Sequence, residues 1–422
     1  MKVKVYEDEK LGEIVYSAKH SSGLEIMVVP KSGIKSAFAI FAVKYGSVDT
    51  FLQNDDGSFS PIPEGTAHFL EHKLFESEEL DAFELFARTG ASANAYTSFE
   101  QTAYLFKGSE KISESLGYLL DFVQKPYFTA ETVRKEQGII GQEIRMYQDL
   151  PDWVVMFNLL KALYKQNPVR IDIAGTQESI AEIDDKLLYS LYDRFYNPSN
   201  MVLTIVGSVD PDKIFEQVEK SILRKKQPVP VRNFVPEKPS AVKKYTEAKL
   251  SVARKQFLLG YKENIQTPVM KIEDEYSSAV LMEALFGKTS KFYKKYLDEG
   301  LIGADFSASL FNGYGYSVFM IGGACDDPEK AAKCIKAEIA AAKKNGIEEA
   351  CVERAKRKFY GRMVMGYNDI ENVANLLVGL YFSGNKPFDD MKAVQKITAA
   401  KVNKRLSVID EKASALSVII PA

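Results

Sequence analysis

His68, Glu71 and His72 are the residues of this sequence best placed to do chemistry. They lie in the stretch Gly65-Thr66-Ala67-His68-Phe69-Leu70-Glu71-His72. On a helix, side chains at i, i+3 and i+4 are neighbours on one face. Phe69 and Leu70 then point elsewhere and can anchor the helix in a core. Two imidazoles one turn apart form a pincer for zinc. The carboxylate between them is near enough to take a proton from a zinc-held water. The same spacing also suits surface histidines or hydrogen-bonded core histidines. The chain has three histidines, so His20 is the only one outside the cluster.

A catalytic zinc takes three protein ligands and keeps one position open. A hard carboxylate is a common third ligand, and Glu143 is the candidate. It lies on a long helix spanning roughly 130–148, with Glu136 two turns earlier on the same face. Glu136 would then hold a ligand or the substrate. An ordinary solvated helix face explains both glutamates equally well, and spacing alone does not decide.

The elements that must position these groups read as follows. Residues 25–30 and 36–43 are β-rich runs separated by the turn signal Lys31-Ser32-Gly33. A loop from Asp55 to Pro63 leads to the histidine helix, which Thr66 could cap. A short helix at 79–90 and strands at 93–97 and 102–106 come next. The amphipathic helix at 110–124 follows. Thr129 caps the 130–148 helix, whose packing side carries Ile139, Ile140 and Ile144. Gly138 and Gly141 there suggest close approach of another helix. Helices at 152–165 and 178–195, a buried strand at 200–207 and a helix at 211–223 complete the half.

The stretch 227–239 carries four prolines and reads as an extended linker. It divides the chain into a first domain at 1–227, a linker at 228–244 and a second domain at 245–422. The second half repeats the order of elements: strands at 245–263, helices at 274–286 and 289–298, strands at 305–324, helices at 328–345 and 348–366, and a strand at 415–420. The order suggests an internal duplication. The second half has no histidine, so a site of this kind exists once.

Composition bounds the class. The chain has 422 residues, 46% apolar and 27% charged, with a net charge of −2. That length supports two cores. The balance gives no basic surplus for nucleic acid or a membrane surface. No run of roughly 18 apolar residues occurs, and the start MKVKVYEDEK has no apolar signal region. Cys325, Cys334 and Cys351 are few and odd in number, which suits a reducing compartment. The expectation is a cytoplasmic protein. Gly287-Lys288-Thr289 lacks the earlier glycine of a phosphate loop, since Met282 stands there. Arg354, Lys356, Arg357, Lys358 and Arg362 form a basic helix patch, read as a solvated face.

Gly65 to Phe75 resembles the signature of the pitrilysin/insulysin zinc metallopeptidases, which carry the reversed, inverzincin order His-x-x-Glu-His. Glu136 and Glu143 match the family's Glu-x6-Glu pattern. Gly90 to Thr97 is similar to its Asn-Ala strand, and Phe195 to Met201 followed by Val206-Gly207 is similar to its Tyr-x-Pro-x-Asn-Met…Gly segment. The matches run from about 25 to 210 and weaken beyond, around Phe286 to Tyr293.

The resemblance implies an α+β fold of two homologous domains, each a mostly antiparallel sheet packed with helices. It implies one Zn²⁺ on His68, His72 and Glu143, with Glu71 as general base and Glu136 in the catalytic machinery. Asn94 and Ala95 would lie on a sheet edge that takes an extended peptide. The activity implied is that of a zinc-dependent endopeptidase on short or unfolded peptides. Half-length members of this bacterial type assemble from two subunits. Active members often carry an Arg and a Tyr in a second-half segment. Here Lys295 to Gly303 has neither at the matching places. The chain therefore resembles the zinc-bearing partner of a heterodimer with a zinc-less family subunit, with a homodimer as the other assembly. The alternative activity is that of a non-catalytic or partner-dependent assembly subunit of the same fold.

Overall fold

The computed structural model of the chain describes residues 1–54, 56–78 and 82–422. In chain order the first half runs through β1 (Val3–Asp8), β2 (Glu13–Lys19), β3 (Glu25–Pro30), β4 (Ala37–Val43), the short hairpin β5 (Phe51–Gln53) and β6 (Phe59–Pro61), α1 (Thr66–Leu74), α2 (Ala82–Thr89), β7 (Ser92–Thr97) and β8 (Thr102–Gly108). It continues with α3 (Ile112–Gln124), α4 (Ala130–Gln148), α5 (Pro151–Leu163), α6 (Gln177–Ala181), α7 (Asp185–Phe195), β9 (Met201–Gly207) and α8 (Pro211–Ser221). The second half has β10 (Tyr245–Leu250), β11 (Gln256–Lys262), α9 (Ile272–Phe286), α10 (Lys291–Asp298), β12 (Ser307–Gly313), β13 (Tyr316–Ala324), α11 (Pro328–Asn345), α12 (Glu349–Gly366), α13 (Ile370–Phe382), α14 (Asp389–Gln395), α15 (Ala399–Leu406) and β14 (Ser414–Pro421).

The chain folds as two α+β units. The first sheet has the order β1-β2-β3-β9-β4-β8-β7, and the second β10-β14-β11-β13-β12. In the first, β3 runs parallel to β9, while β9–β4, β4–β8 and β8–β7 are antiparallel. In the second, β10 runs parallel to β14, while β14–β11, β11–β13 and β13–β12 are antiparallel. Five strands of each sheet thus share one topology, and β1 and β2 extend the first. This is the expected duplication, legible in the topology although the residues do not repeat.

The central strands read as continuous apolar runs because helices cover the sheet. β4 (AFAIFAV) and β9 (MVLTIVG) are buried at every position. The helices do not follow the halves of the sequence. Unit 1 gathers Met1–Ile144, Asp172–Asn233 and Val364–Asp389, and unit 2 gathers Arg145–Ile171, Phe234–Met363 and Asp390–Ala422. Helix α13 therefore packs on β4 and β9 of the first sheet, and α5 packs on β10, β11 and β14 of the second. Each stands at the same place in its half, directly after a long helix, so the exchange is reciprocal. The chain passes from one unit to the other between Asn233 and Phe234, inside the proline-rich stretch. Arg232 of that stretch is tied to unit 1. Its Nε and Nη2 donate to the two oxygens of buried Asp49, each at 2.8 Å.

Several local expectations change. The helix expected at 178–195 is two helices. Asp184 accepts from Leu187 N–H and starts the second, after a first that Thr176 caps with Ser179 in a reciprocal box. Ile139 is 45% exposed and does not join Ile140 and Ile144 in the core. Gly138 has open space around it, and Gly141 meets only Ile180, at 4.0 Å from where a Cβ would stand. The start of the short helix expected at Glu79 and the loop residue Asp55 lie outside the described residues. Helices α13 to α15 carried no expectation.

Candidate metal centre

Helix α1 enters unit 1 through Gly65. That residue adopts φ +86°, and a Cβ there would stand 2.3 Å from Ala174 O. Only glycine gives this turn its shape without strain. Thr66 does not cap the helix. Its hydroxyl donates instead to Pro63 O at 2.6 Å. Phe69 and Leu70 are fully buried, as the helical spacing requires, and they fix the rotation of α1. That rotation turns His68 and His72 toward Glu143 of α4 and Glu71 toward Thr97 of β7.

Helix α4 is capped by Thr129, whose hydroxyl accepts from Thr132 N–H at 3.2 Å. Ile140 and Ile144 are buried beneath it. It presents Glu143 to both histidines: His68 Nε2 lies 3.7 Å from Oε1, and His72 Nε2 lies 3.5 Å from Oε2. One ligand atom from each of the three residues lies within 4.8 Å of the others. The two nitrogen–oxygen separations exceed ordinary hydrogen-bond lengths. Ligand bonds of about 2.0–2.1 Å in a tetrahedron set ligand atoms about 3.3–3.4 Å apart. The spacing therefore fits a small ion of tetrahedral preference between the side chains. Two imidazole nitrogens and a carboxylate are also the right chemistry for it.

The second ring nitrogens differ. His72 Nδ1 donates to Glu136 Oε1 at 2.8 Å, and Glu136 is 7% exposed. This fixes the tautomer and leaves the Nε2 lone pair aimed at the site. Glu136, placed by sequence among the catalytic groups, thus holds the His72 ring from the side away from Glu143. His68 Nδ1 is buried without a partner among the described residues.

The same environment sets the protonation states. Burial, with the nearby His72 charge, pushes His68 down to about 4, so its imidazole is neutral at pH 7 and free to bind a cation. Burial also presses His72 downward. Its bond to Glu136 and the charges of Glu71, Glu136 and Glu143 outweigh this and raise it. Burial raises Glu71, against the opposing pull of a hydrogen bond from Thr97 and the nearby His72 charge. A carboxyl raised in this way is a better proton acceptor than a solvated one.

The strand expected to carry Asn94 and Ala95 is β7, whose only neighbour in its sheet among the described residues is β8. Among the described residues, one edge of β7 has no strand paired to it. Alternation along the strand puts Ala95 and Thr97 on the α1 face. It puts Asn94 and Tyr96 on the α13 face, where the Tyr96 hydroxyl donates to Asn375 Oδ1 at 2.7 Å. Asn94 is exposed, and its Oδ1 accepts from Ala95 N–H at 2.8 Å. The segment resembling Tyr-x-Pro-x-Asn-Met serves the sheet. Asn200 Nδ2 donates to Phe195 O and Lys44 O, and the Tyr196 hydroxyl meets that of Tyr104 in the core.

The family description "Insulinase (Peptidase family M16)" matches residues 52–177, which contain α1, β7 and α4. "Peptidase M16 inactive domain" matches residues 183–359. The "Uncharacterized zinc protease YmfH" of Bacillus subtilis (strain 168) is 41% identical over 419 residues, covering 98% of this chain and 97% of that protein. The chain belongs to peptidase family M16. The "Crystal structure of putative M16-like peptidase from Alicyclobacillus acidocaldarius" matches with a TM-score of 0.92 at 35% identity, over 100% of this chain and 99% of that one. The Arabidopsis thaliana "Probable mitochondrial-processing peptidase subunit beta, mitochondrial" is 28% identical over 184 residues, 42% of this chain and 35% of that protein. Among the described residues no helix is long and apolar enough to cross a membrane.

Proposed function

We propose that this M16 protein is a zinc-dependent endopeptidase acting on short or unfolded peptides. The observation that carries the reading is the convergence of His68 Nε2, His72 Nε2 and the Glu143 carboxylate at the spacing of a tetrahedral ion, with Glu71 one helical turn from His68. Zinc, when bound, supplies a Lewis acid that polarises the peptide carbonyl and makes water more acidic. His68, His72 and Glu143 hold it, and Glu136 keeps His72 turned the right way. Glu71 takes the proton of the attacking water and returns it to the departing amine. The unpaired edge of β7 gives an extended peptide a strand to pair with, beside Ala95. Asn94 would then exchange its bond to Ala95 N–H for one to the incoming backbone.

The test is Glu71→Gln. It keeps the size of the side chain and removes the proton acceptor. The expected result is a protein with wild-type zinc content and hydrolysis of an unstructured peptide reduced at least about a hundredfold. Unchanged hydrolysis would remove the peptidase reading and leave a structural metal site.

We further propose that the chain works with a second, related subunit. Two observations favour this: no Arg or Tyr stands at the family's matching places within Lys295 to Gly303, where the one tyrosine is Tyr296, and the word "subunit" occurs in the name of the Arabidopsis relative. Equal peptide cleavage by the purified chain and by a reconstituted pair would exclude it. The cytoplasm suits the three free thiols at Cys325, Cys334 and Cys351. Import of the chain into an oxidising compartment in cell fractionation would contradict that placement.

A further inference from the structure

Thr97 stands at the end of β7 on the face that meets α1, and its hydroxyl donates to Glu71 Oε2 at 2.6 Å. We infer that Thr97 is a positioning residue for Glu71. It clamps one carboxylate oxygen and leaves the other to exchange the proton, which ties the aim of the base to the strand that takes the substrate. The inference rests on the peptidase reading and adds a residue to it.

Three observations carry it. First, the bond uses the hydroxyl's only proton. Thr97 pairs across the strands with Thr102, and the two hydroxyls lie 3.3 Å apart. Thr102 is fully buried and gives its own proton to Tyr45 O at 2.9 Å. Thr97 is left to donate to the carboxylate, which accepts at both oxygens when ionised. Second, the bond is selective. Oε2 is held, while Oε1 makes no hydrogen bond among the described residues. A base held at one oxygen keeps its direction and retains a free lone pair. Third, the clamp is rigid. Thr97 is β-branched, so its χ1 is restricted on the strand, and Thr102 beneath it is fixed by the Tyr45 carbonyl.

The position also links two events. Thr97 and Ala95 share one face of β7, two residues apart. A peptide pairing with the unpaired edge of β7 would restrain the strand that carries the clamp. The base would then be held most firmly when substrate is present, so the effect belongs in kcat more than in KM.

The experiment compares Thr97→Val, which keeps the shape and deletes the hydroxyl, with Thr97→Ser, which keeps the hydroxyl and deletes the methyl. Glu71→Gln is the reference. Zinc content, kcat and KM on an unstructured peptide are measured for each, in the chain or the reconstituted pair, whichever hydrolyses. Crystal structures of both Thr97 variants give a readout independent of turnover. A hydrogen bond to a charged group has a worth that corresponds to about a 10- to 100-fold fall in kcat for Thr97→Val. KM and zinc content should change less than about threefold. Thr97→Ser should restore kcat to within about threefold of wild type. Glu71 should leave its rotamer in the Val crystal and keep it in the Ser crystal. The inference is overturned by wild-type kcat in Thr97→Val, by a Ser variant as slow as the Val variant, or by an unmoved Glu71 in the Val crystal. If Glu71→Gln itself hydrolyses normally, the peptidase reading fails. If Glu71→Gln is dead and Thr97→Val is normal, only the role of Thr97 fails.

Discussion

Glu136→Gln should weaken zinc binding without removing a ligand, and by an amount that depends on pH. The carboxylate lies 2.8 Å from His72 Nδ1 and is nearly buried, so its charge is poorly screened. The amide oxygen of Gln can still accept the same hydrogen bond. What is lost is the charge, and charge-assisted bonds are roughly twice as strong as neutral ones. Removing such a partner behind a metal ligand costs about 10- to 100-fold in affinity, or about 1.4–2.8 kcal/mol. A second effect opposes the first. In the metal-free protein the Glu136 bond helps to raise His72 above its ordinary value, so protons compete with zinc for that ring. The Gln variant relieves the competition. The penalty should therefore be full where His72 is already neutral and should shrink as pH falls through its titration. Competition with a fluorescent zinc chelator, titrated over a series of pH values, measures both effects. Affinity within twofold of wild type at alkaline pH would refute the orienting role. A penalty that grows toward acid pH would refute the proton competition.

Two further outcomes follow from the same geometry. His68 is depressed from its ordinary value to about 4 by burial, so the unfolded chain takes its proton first. Its contribution to stability is then complete above about pH 6.5 and is lost as pH falls toward 4, on the order of 3 kcal/mol; His72, raised when folded, works in the opposite sense. Urea unfolding of the metal-stripped protein should show the acid-side loss, and His68→Gln should flatten it. Gly65→Ala puts a side chain at φ +86° and 2.3 Å from Ala174 O. The conformation alone costs about 1–3 kcal/mol, so the melting temperature should drop and zinc affinity should fall as α1 shifts. An alanine variant with wild-type melting and affinity would show that the entry to α1 has slack.

The histidine helix was legible because its signal is local. His68, Glu71 and His72 lie within five residues, and helical spacing puts them on one face without any knowledge of the rest. Glu143 was less legible, because a glutamate on a polar helix face has the same appearance whether it meets solvent or two histidines. Resemblance to a known motif made that choice, and the packing of α4 brings the carboxylate within 3.7 Å of His68 Nε2 and 3.5 Å of His72 Nε2. Thr97 was missed although its strand was read correctly. Its signal was available in the two-residue period that puts Ala95 and Thr97 on the same face. The reciprocal exchange of α5 and α13 was not legible, because an apolar helix carries no mark of which sheet it covers. Helix α13 went unread even though Asp369 caps it, accepting from Glu371 and Asn372 N–H. The break between α6 and α7 had a readable cause in Asp184. The exposed Ile139 had none, since an isoleucine in a helix is ordinarily assigned to the core.

The central claim is that one zinc ion sits between α1 and α4. The most direct measurement is a crystal structure of the zinc-loaded protein with anomalous data at the zinc edge. The account predicts a single strong peak about 2.0–2.2 Å from His68 Nε2, His72 Nε2 and a Glu143 oxygen, with His72 Nδ1 still on Glu136. Zinc bound elsewhere, or bound by the histidines with Glu143 turned away, would contradict it.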